Sequence, residues 1–125
     1  MPHDDPAAAL IAAVRHRDEV ALARLLTPQV HLVVDAGDAT GVDVYGRAGV
    51  IPALMARLHP EPTTRLLRVH VNGAPGVAAR RANGEIAAVL ALGESSGEGR
   101  PVAQLWLTTA PRKLAAWNRR RPEPD

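Results

Sequence analysis

The amino-acid sequence predicts an α+β domain in which N-terminal helices pack on one face of a curved, mostly antiparallel sheet. Two observations lead to this prediction. Hydrophobic residues at helical spacing dominate the first half of the chain, whereas short β-rich runs separated by turn signals dominate the second half. The chain has 125 residues, of which 46% are hydrophobic and 22% are charged, values typical of one globular domain.

Two short helices are predicted at the start of the chain. Asp5 followed by Pro6 is a typical N-cap and first helical residue, and the apolar stripe that follows extends to about His16. Asp18 is the expected N-cap of the second helix, which Thr27-Pro28 ends. The chain therefore opens with two helices.

A strand and a third helix are predicted next. The β-rich run from Val30 to Asp35 predicts the strand, and the glycines after it predict a loop or a weak strand. The third helix is expected from the apolar stripe between Val50 and Leu58, in which Pro52 is tolerated because it lies in the first turn.

Four more strands are predicted in the second half of the chain. They are expected at residues 65–71, 77–81, 85–92 and 101–109. Asn72-Gly73 begins one hairpin connection, and Asn83-Gly84 predicts a type I′ turn, which needs positive φ at both central residues. A segment from Pro111 to Trp117 follows, and the charged residues 119–125 are expected to be disordered, so residues 1–118 form the predicted domain.

The predicted strand at residues 86–92 is apolar on both faces. Both faces must therefore be covered, because a large exposed apolar patch is unfavourable in water. The helices cover one face. A homodimer formed through the outer face of the sheet is the simplest cover for the other face.

Composition excludes several classes of function. The chain has no cysteine, which excludes disulfides and cysteine nucleophiles and favours the cytoplasm. No apolar run approaches the roughly 18 residues of a membrane span, and the N-terminus lacks the basic region of a signal peptide. The net charge is only +2, so direct nucleic-acid binding is not expected, and the arginine run after Asn118 is interpreted as a solvated tail. The five histidines show no metal-ligand spacing, so neither a metal nor a cofactor is expected.

Three stretches of the sequence resemble a known group of domains. They are Val33–Gly37, Val71–Val77 and Ala110–Leu114. Together with the order of the elements, they are similar to the SnoaL-like members of the nuclear transport factor 2-like superfamily, over roughly Ala9 to Asn118. The resemblance is greatest to the C-terminal SnoaL-like domain of actinobacterial extracytoplasmic-function sigma factors. No sigma-factor region precedes the first helix, so direct promoter recognition is not expected.

The resemblance implies a cone in which the helices and the curved sheet enclose a cavity for a small apolar organic molecule. The alanine-rich composition is compatible with such a hollow and equally with elements that pack close together, because small side chains fill little volume. In ketosteroid isomerase-like relatives, a strand similar to Val34-Asp35 carries the catalytic base, and a pair similar to Gly46-Arg47 opens the next helix. The resemblance therefore implies Asp35 as a general base and Trp106 as a residue that lines the cavity.

The same comparison limits the chemistry. The isomerases stabilise an oxyanion with a tyrosine of the first helix and a neutral acid, and both are missing here, so steroid isomerisation is not implied. Another cofactor-independent reaction, such as cyclisation, dehydration or epoxide opening, needs a donor, for which His31, His70 and Tyr45 are candidates. Side-chain alternation puts His31 and Asp35 on one strand face, roughly 13 Å apart, which is too far for a direct hydrogen bond but would let them line opposite ends of one cavity. The expected ligand contacts are Trp106, Tyr45, Asn72, Gln104 and Met55.

Each candidate also has a structural alternative. Asp35 can be a turn residue that binds the backbone at Gly37, and His31 and His70 can be half-buried strand residues paired with a neighbour. Two function hypotheses therefore stay open. The first is a stand-alone, homodimeric domain that binds a small apolar molecule, with or without acid–base catalysis. The second is a non-catalytic regulatory or protein-interaction module.

Overall fold

The computed structural model describes residues 5–37, 41–59, 61–93 and 101–119. Helices pack on one curved, unclosed, six-stranded sheet, which confirms the predicted α+β class. The helices are α1 (Pro6–Arg15), α2 (Glu19–Leu25), α3 (Arg47–Leu58) and α4 (Pro111–Arg119). The strands are β1 (Leu26–Asp35), β2 (Val42–Tyr45), β3 (Arg65–Val71), β4 (Ala74–Arg80), β5 (Ile86–Leu92) and β6 (Val102–Thr108). None of the helices in the described ranges is long and apolar enough to cross a membrane.

The sheet has the strand order β2-β1-β6-β5-β4-β3. Strands β1 and β6 pair in parallel, and the other neighbours pair in an antiparallel arrangement, so the sheet is mostly antiparallel as predicted. The first strand of the chain therefore lies next to the last strand. This pairing brings together residues that are far apart in the sequence.

The two predicted N-caps are present. The side chain of Asp5 accepts a hydrogen bond from the backbone N–H of Ala8 at 3.1 Å, and that of Asp18 accepts one from Ala21 at 3.0 Å. Each bond satisfies a helix N–H group that has no partner inside its own helix. The predicted starts of α1 and α2 are correct for this reason.

Strand β1 is longer than predicted. It begins at Leu26, so Thr27-Pro28 ends α2 as expected but lies inside the strand. The pairing of β1 with β6 is irregular between Leu26 and His31. A proline is tolerated at such an irregularity because it cannot donate to a regular ladder.

Helix α3 begins at Arg47, three residues before the expected apolar stripe, and its N-cap is Gly46. Pro52 therefore lies in the second turn rather than the first, which corrects the prediction. Pro52 has no N–H group to donate to the backbone carbonyl of Ala48, four residues earlier. Both residues are exposed, so water can donate a hydrogen bond to that carbonyl instead. The guanidinium of Arg47 donates two hydrogen bonds to the backbone carbonyl of Leu26, which fixes the start of α3 against β1.

The two asparagine–glycine pairs form different turns. Asn72 and Gly73 have φ of +51° and +84°, so the connection between β3 and β4 has positive φ at both central residues. In the connection between β4 and β5, only Gly84 has positive φ, and the type I′ prediction for Asn83-Gly84 is wrong. The side chain of Asn83 instead accepts a hydrogen bond from the backbone N–H of Glu85 at 2.9 Å.

The main core lies on the face of the sheet that carries α1, α2 and α3, which we call the helical face. Its largest fully buried side chains are leucines and valines from both layers, namely Leu10, Leu22, Leu26, Leu32, Leu54, Leu58, Leu90, Leu92, Leu105, Leu107, Val14 and Val30. The other side of the sheet is the outer face.

Helix α4 packs on the outer face of β5. A second cluster of buried residues forms there, consisting of Ala78, Ile86, Val89 and Leu114, with Val69, Val71 and Trp117 packed against it. The side-chain amide of Asn118 accepts a hydrogen bond from the N–H of Ile86 at 2.8 Å and donates one to its carbonyl at 3.3 Å. The doubly apolar strand is thus covered within the chain, so its composition no longer requires a homodimer. Arg119 ends α4, and the rest of the expected tail lies outside the described residues.

Truncation of Leu114 tests this arrangement. Leu114 is buried between α4 and β5, so Leu114→Ala is expected to lower the free energy of unfolding by about 2 kcal/mol, measured by urea denaturation. Arg112→Ala, an exposed change on the same helix, is the matched control and should cost less than about 0.5 kcal/mol. Equal losses for the two variants would contradict the assignment of α4 as the cover of β5.

Candidate functional site

His31 is the centre of a polar cluster on the outer face. Its ring Nδ1 lies 3.1 Å from Oε1 of Gln104, and its Nε2 lies 2.9 Å from Oδ1 of Asp43. The ring of Tyr45 stacks on the imidazole in parallel, with a centroid separation of 4.3 Å. These contacts follow from the sheet register, because His31 is directly opposite Tyr45 on β2 and Gln104 on β6.

Both ring nitrogens of His31 are therefore occupied. An imidazolium donates to the oxygens of Gln104 and Asp43 together, whereas a neutral imidazole needs the Gln104 amide turned to offer its N–H. In either state, each ring nitrogen has a partner within the protein. The cluster thus fixes the positions of its side chains on the outer face.

Trp106 extends the cluster along the outer face. Val33 separates His31 from Asp35 on β1 and lies directly opposite Trp106 on β6. The residue Trp106 is 48% exposed and Tyr45 is 68% exposed. We call the surface formed by Tyr45, His31, Gln104, Asp43, Val33 and Trp106 the docking face.

Asp35 lies at the end of the same strand face, but in a different environment. Its carboxylate accepts a hydrogen bond from the backbone N–H of Gly37 at 2.9 Å and forms an ion pair with Lys113 of α4. The hydrogen bond from Lys113 and the bond from Gly37 lower the pKa of Asp35 below its ordinary value of 3.8, although burial acts in the opposite direction. The turn interaction with Gly37 is present, whereas a base that works near neutral pH needs the opposite shift.

The remaining predicted site residues lie elsewhere. Met55 is buried in the main core on the helical face. His70 is at the exposed end of β3, on the other edge of the sheet, and Asn72 forms the turn that follows. The structure thus brings together His31, Tyr45, Gln104 and Trp106, but it separates them from Met55, His70 and Asn72. In the described ranges, no group of three or more histidine, cysteine or acidic side chains is arranged to hold a metal ion.

Two residues of this region were not predicted as site residues. Asp43 lies in β2, a strand of only four residues, where the alternation of Val42, Asp43, Val44 and Tyr45 is the signal that places Asp43 and Tyr45 on one face. Lys113 belongs to one of the stretches that carry the resemblance, but nothing in the sequence pairs it with Asp35.

Comparisons with known proteins support the fold. No protein-family model matches the chain, and no curated protein matches it. Among solved structures, the sigma factor SigJ of Mycobacterium tuberculosis is 26% identical, with a TM-score of 0.62 over 90% of this chain and 43% of that protein. The chain thus spans less than half of SigJ. A SnoaL-like protein of Agrobacterium tumefaciens is 14% identical, with a TM-score of 0.56 over 85% of this chain and 95% of that one. An NTF2-like protein of Mesorhizobium loti is also 14% identical, with a TM-score of 0.55 over 86% of this chain and 93% of that one.

The structural neighbours of the chain are therefore SnoaL-like and NTF2-like proteins, as the sequence resemblance implied. The four helices and the curved, unclosed mixed sheet have the α+β arrangement of the NTF2-like cone. The two neighbours that are 14% identical establish the fold only. The chemistry of this chain depends on the side chains at its own site.

The Asp35–Lys113 ion pair makes a direct prediction. Lys113→Gln is expected to raise the pKa of Asp35 toward 3.8, because the largest cause of its lowering is removed. The carboxyl carbon of Asp35, followed by NMR against pH, gives this pKa. Since a lowered folded-state pKa stabilises the protein above the unfolded value, the advantage of wild type over the variant should shrink as the pH falls below that value. Arg112→Gln is the control, and an equal rise there would contradict the pairing.

Proposed function

We propose that this chain is a non-catalytic regulatory domain that acts through protein contacts made by its docking face, and that its first partner is a second copy of itself. The observation that carries the proposal is the pair of exposed aromatic residues, Tyr45 and Trp106, on a sheet face whose polar groups are already fixed. Such a domain acts by binding a protein partner rather than by catalysing a reaction.

The composition of the docking face supports this proposal. Tyrosine and tryptophan are enriched at protein interfaces and supply much of their binding energy. The stacking of Tyr45 on His31, and the bonds of His31 to Gln104 and Asp43, hold these side chains in place before a partner arrives. Association then costs less side-chain entropy than it would on a flexible surface.

Charge on this side of the sheet is compatible with a second copy. Asp43 and Asp35 lie on the same outer face as His31 and Lys113, and each acid is in contact with one of these bases. A copy of the same surface therefore meets acidic and basic groups together and is not strongly repelled. A homodimer needs no partner beyond the chain itself. A two-fold axis that passes through the docking face would bring the aromatic residues of the two copies close to each other.

The environment of the candidate base argues against an acid–base enzyme. Asp35 is held as a carboxylate by Lys113 and Gly37, and both ring nitrogens of His31 are engaged. His70 is on the far edge of the sheet. The residues considered as base and donor, Asp35, His31 and His70, thus do not meet around a common point. The enclosed cavity and a small apolar ligand within it stay predictions, and such a ligand would act as an effector rather than a substrate.

The comparisons favour the same role. The SigJ structure is that of an extracytoplasmic-function sigma factor, and this chain resembles part of it at 26% identity. The A. tumefaciens protein is described as a candidate isomerase, but at 14% identity it supports only the fold. The proposal accordingly makes the chain a regulatory protein of the cytoplasm, a compartment compatible with its lack of cysteine.

Replacement of Trp106 tests the proposal. Sedimentation velocity over a wide concentration range should show a reversible dimer of wild type, and Trp106→Ser should weaken the dimer by about 30-fold, the effect of losing an interface hot spot. Val20→Ser is the matched control, because Val20 is 61% exposed but lies on α2, away from the docking face. The proposal would be contradicted by a wild-type chain that stays monomeric at every concentration. It would also be contradicted by a dimer whose dissociation constant does not change with Trp106→Ser.

A further inference from the structure

A cleft of about 710 Å³ opens on the outer face of β3 and β4, beside α4. Its floor and wall are mostly apolar and include Leu67, Val69, Ala78, Ile86, Ala116 and Trp117. Arg68 and two residues expected from the sequence to belong to a site, His70 and Asn72, also line the cleft. The wall is fixed in place, because Asn118 binds both backbone groups of Ile86 and ties α4 to β5. A cleft of this size accommodates a drug-sized organic molecule.

The charge at one end of the cleft is unbalanced. Arg80 lines the cleft, and Arg65 is directly opposite it on the neighbouring strand. Opposite residues of an antiparallel pair share one face, with Cβ atoms roughly 5 Å apart, so two guanidinium groups extend from adjacent positions of that face. Within the described parts of the chain, neither arginine forms an ion pair with a carboxylate, although the nearby Arg68 and Arg81 both do.

Like charges at directly opposite positions of a sheet are destabilising. An anion bound between the two guanidinium groups would relieve this repulsion. A carboxylate is suited to this position because a guanidinium binds it with two parallel hydrogen bonds. An apolar body attached to that carboxylate would lie on the floor beside Trp117, where it would be removed from water.

We infer that this cleft is a binding site for a small organic carboxylate with an apolar body, recognised by Arg80 with Arg65 at one end and by Trp117 along the wall. The site is on the opposite side of the sheet from the helical face. It is also separate from the docking face, because α4 and β5 lie between them. Its test is therefore independent of the dimer.

The two tryptophans of the chain allow the sites to be distinguished. Trp117 lines the cleft and Trp106 lies on the docking face, and the sequence has no other tryptophan. A ¹H–¹⁵N spectrum consequently contains two indole signals, which Trp106→Phe and Trp117→Phe assign. Titration with decanoate below its micellar range should shift the Trp117 signal and leave the Trp106 signal in place.

The charge requirement is tested with one change of ligand and one change of protein. Decanol has the same apolar chain without the carboxylate and should bind about tenfold more weakly than decanoate. Arg80→Gln should weaken decanoate binding by about tenfold and leave decanol binding unchanged. Because it relieves a like-charge pair, Arg80→Gln should also be no less stable to heat than wild type. Arg24→Gln, an exposed change on α2, is the control.

Two results would overturn the inference. If the Trp117 indole signal does not shift up to the solubility limit of decanoate, the cleft does not bind this ligand and the inference is wrong. Equal affinity of decanoate for wild type, Arg80→Gln and Arg24→Gln would remove the role of the arginine pair. A Trp117 shift that is lost with Arg80→Gln and kept with Arg24→Gln would support it.

Discussion

The parallel pairing of β1 with β6 is the constraint on which the outer face of this protein depends. It places the first strand of the chain beside the last one, so that His31 meets Gln104 and Val33 meets Trp106. The same pairing continues past the strand ends, where the backbone carbonyl of Asp35 accepts a hydrogen bond from the N–H of Thr109 at 2.9 Å. Helix α4 follows directly, which brings Lys113 to the carboxylate of Asp35.

The position of α4 then divides the outer face into two surfaces. The helix covers β5, whose outer side is too apolar to face water, with Leu114 and Trp117. On one side of α4, the strands β2, β1 and β6 remain open and present aromatic and polar groups. On the other side, β3 and β4 form the floor of a cleft whose wall is α4 itself. One packing requirement thus gives rise to two surfaces of different chemistry.

The sequence predicted the parts of the fold that depend on local interactions. The caps at Asp5 and Asp18 are local, because each side chain binds a backbone N–H three residues later. The bounds of β3 are also local, because a β-rich run between turn signals defines them. The start of α3 was less accurate, because Gly46 supplies no side-chain cap and the helix begins before its apolar stripe. Alternation correctly put His31 and Asp35 on one strand face. It did not say which face the helices cover, and a neighbour such as Lys113 cannot be deduced without the pairing of β1 and β6.

Asp35 shows why an aspartate at the same position of two related proteins need not act as a base in both. A carboxylate becomes a useful base near neutral pH when its surroundings disfavour the charged form. Here Val34 is the residue directed into the core, and Asp35 lies on the opposite side of the strand with a lysine and a backbone N–H as partners. Both partners favour the charged form, so the carboxylate is best suited to hold α4 and the strand end together. The side chains that carry the proposed association and ligand binding are therefore those of the outer face, which the fold presents independently of the role of Asp35.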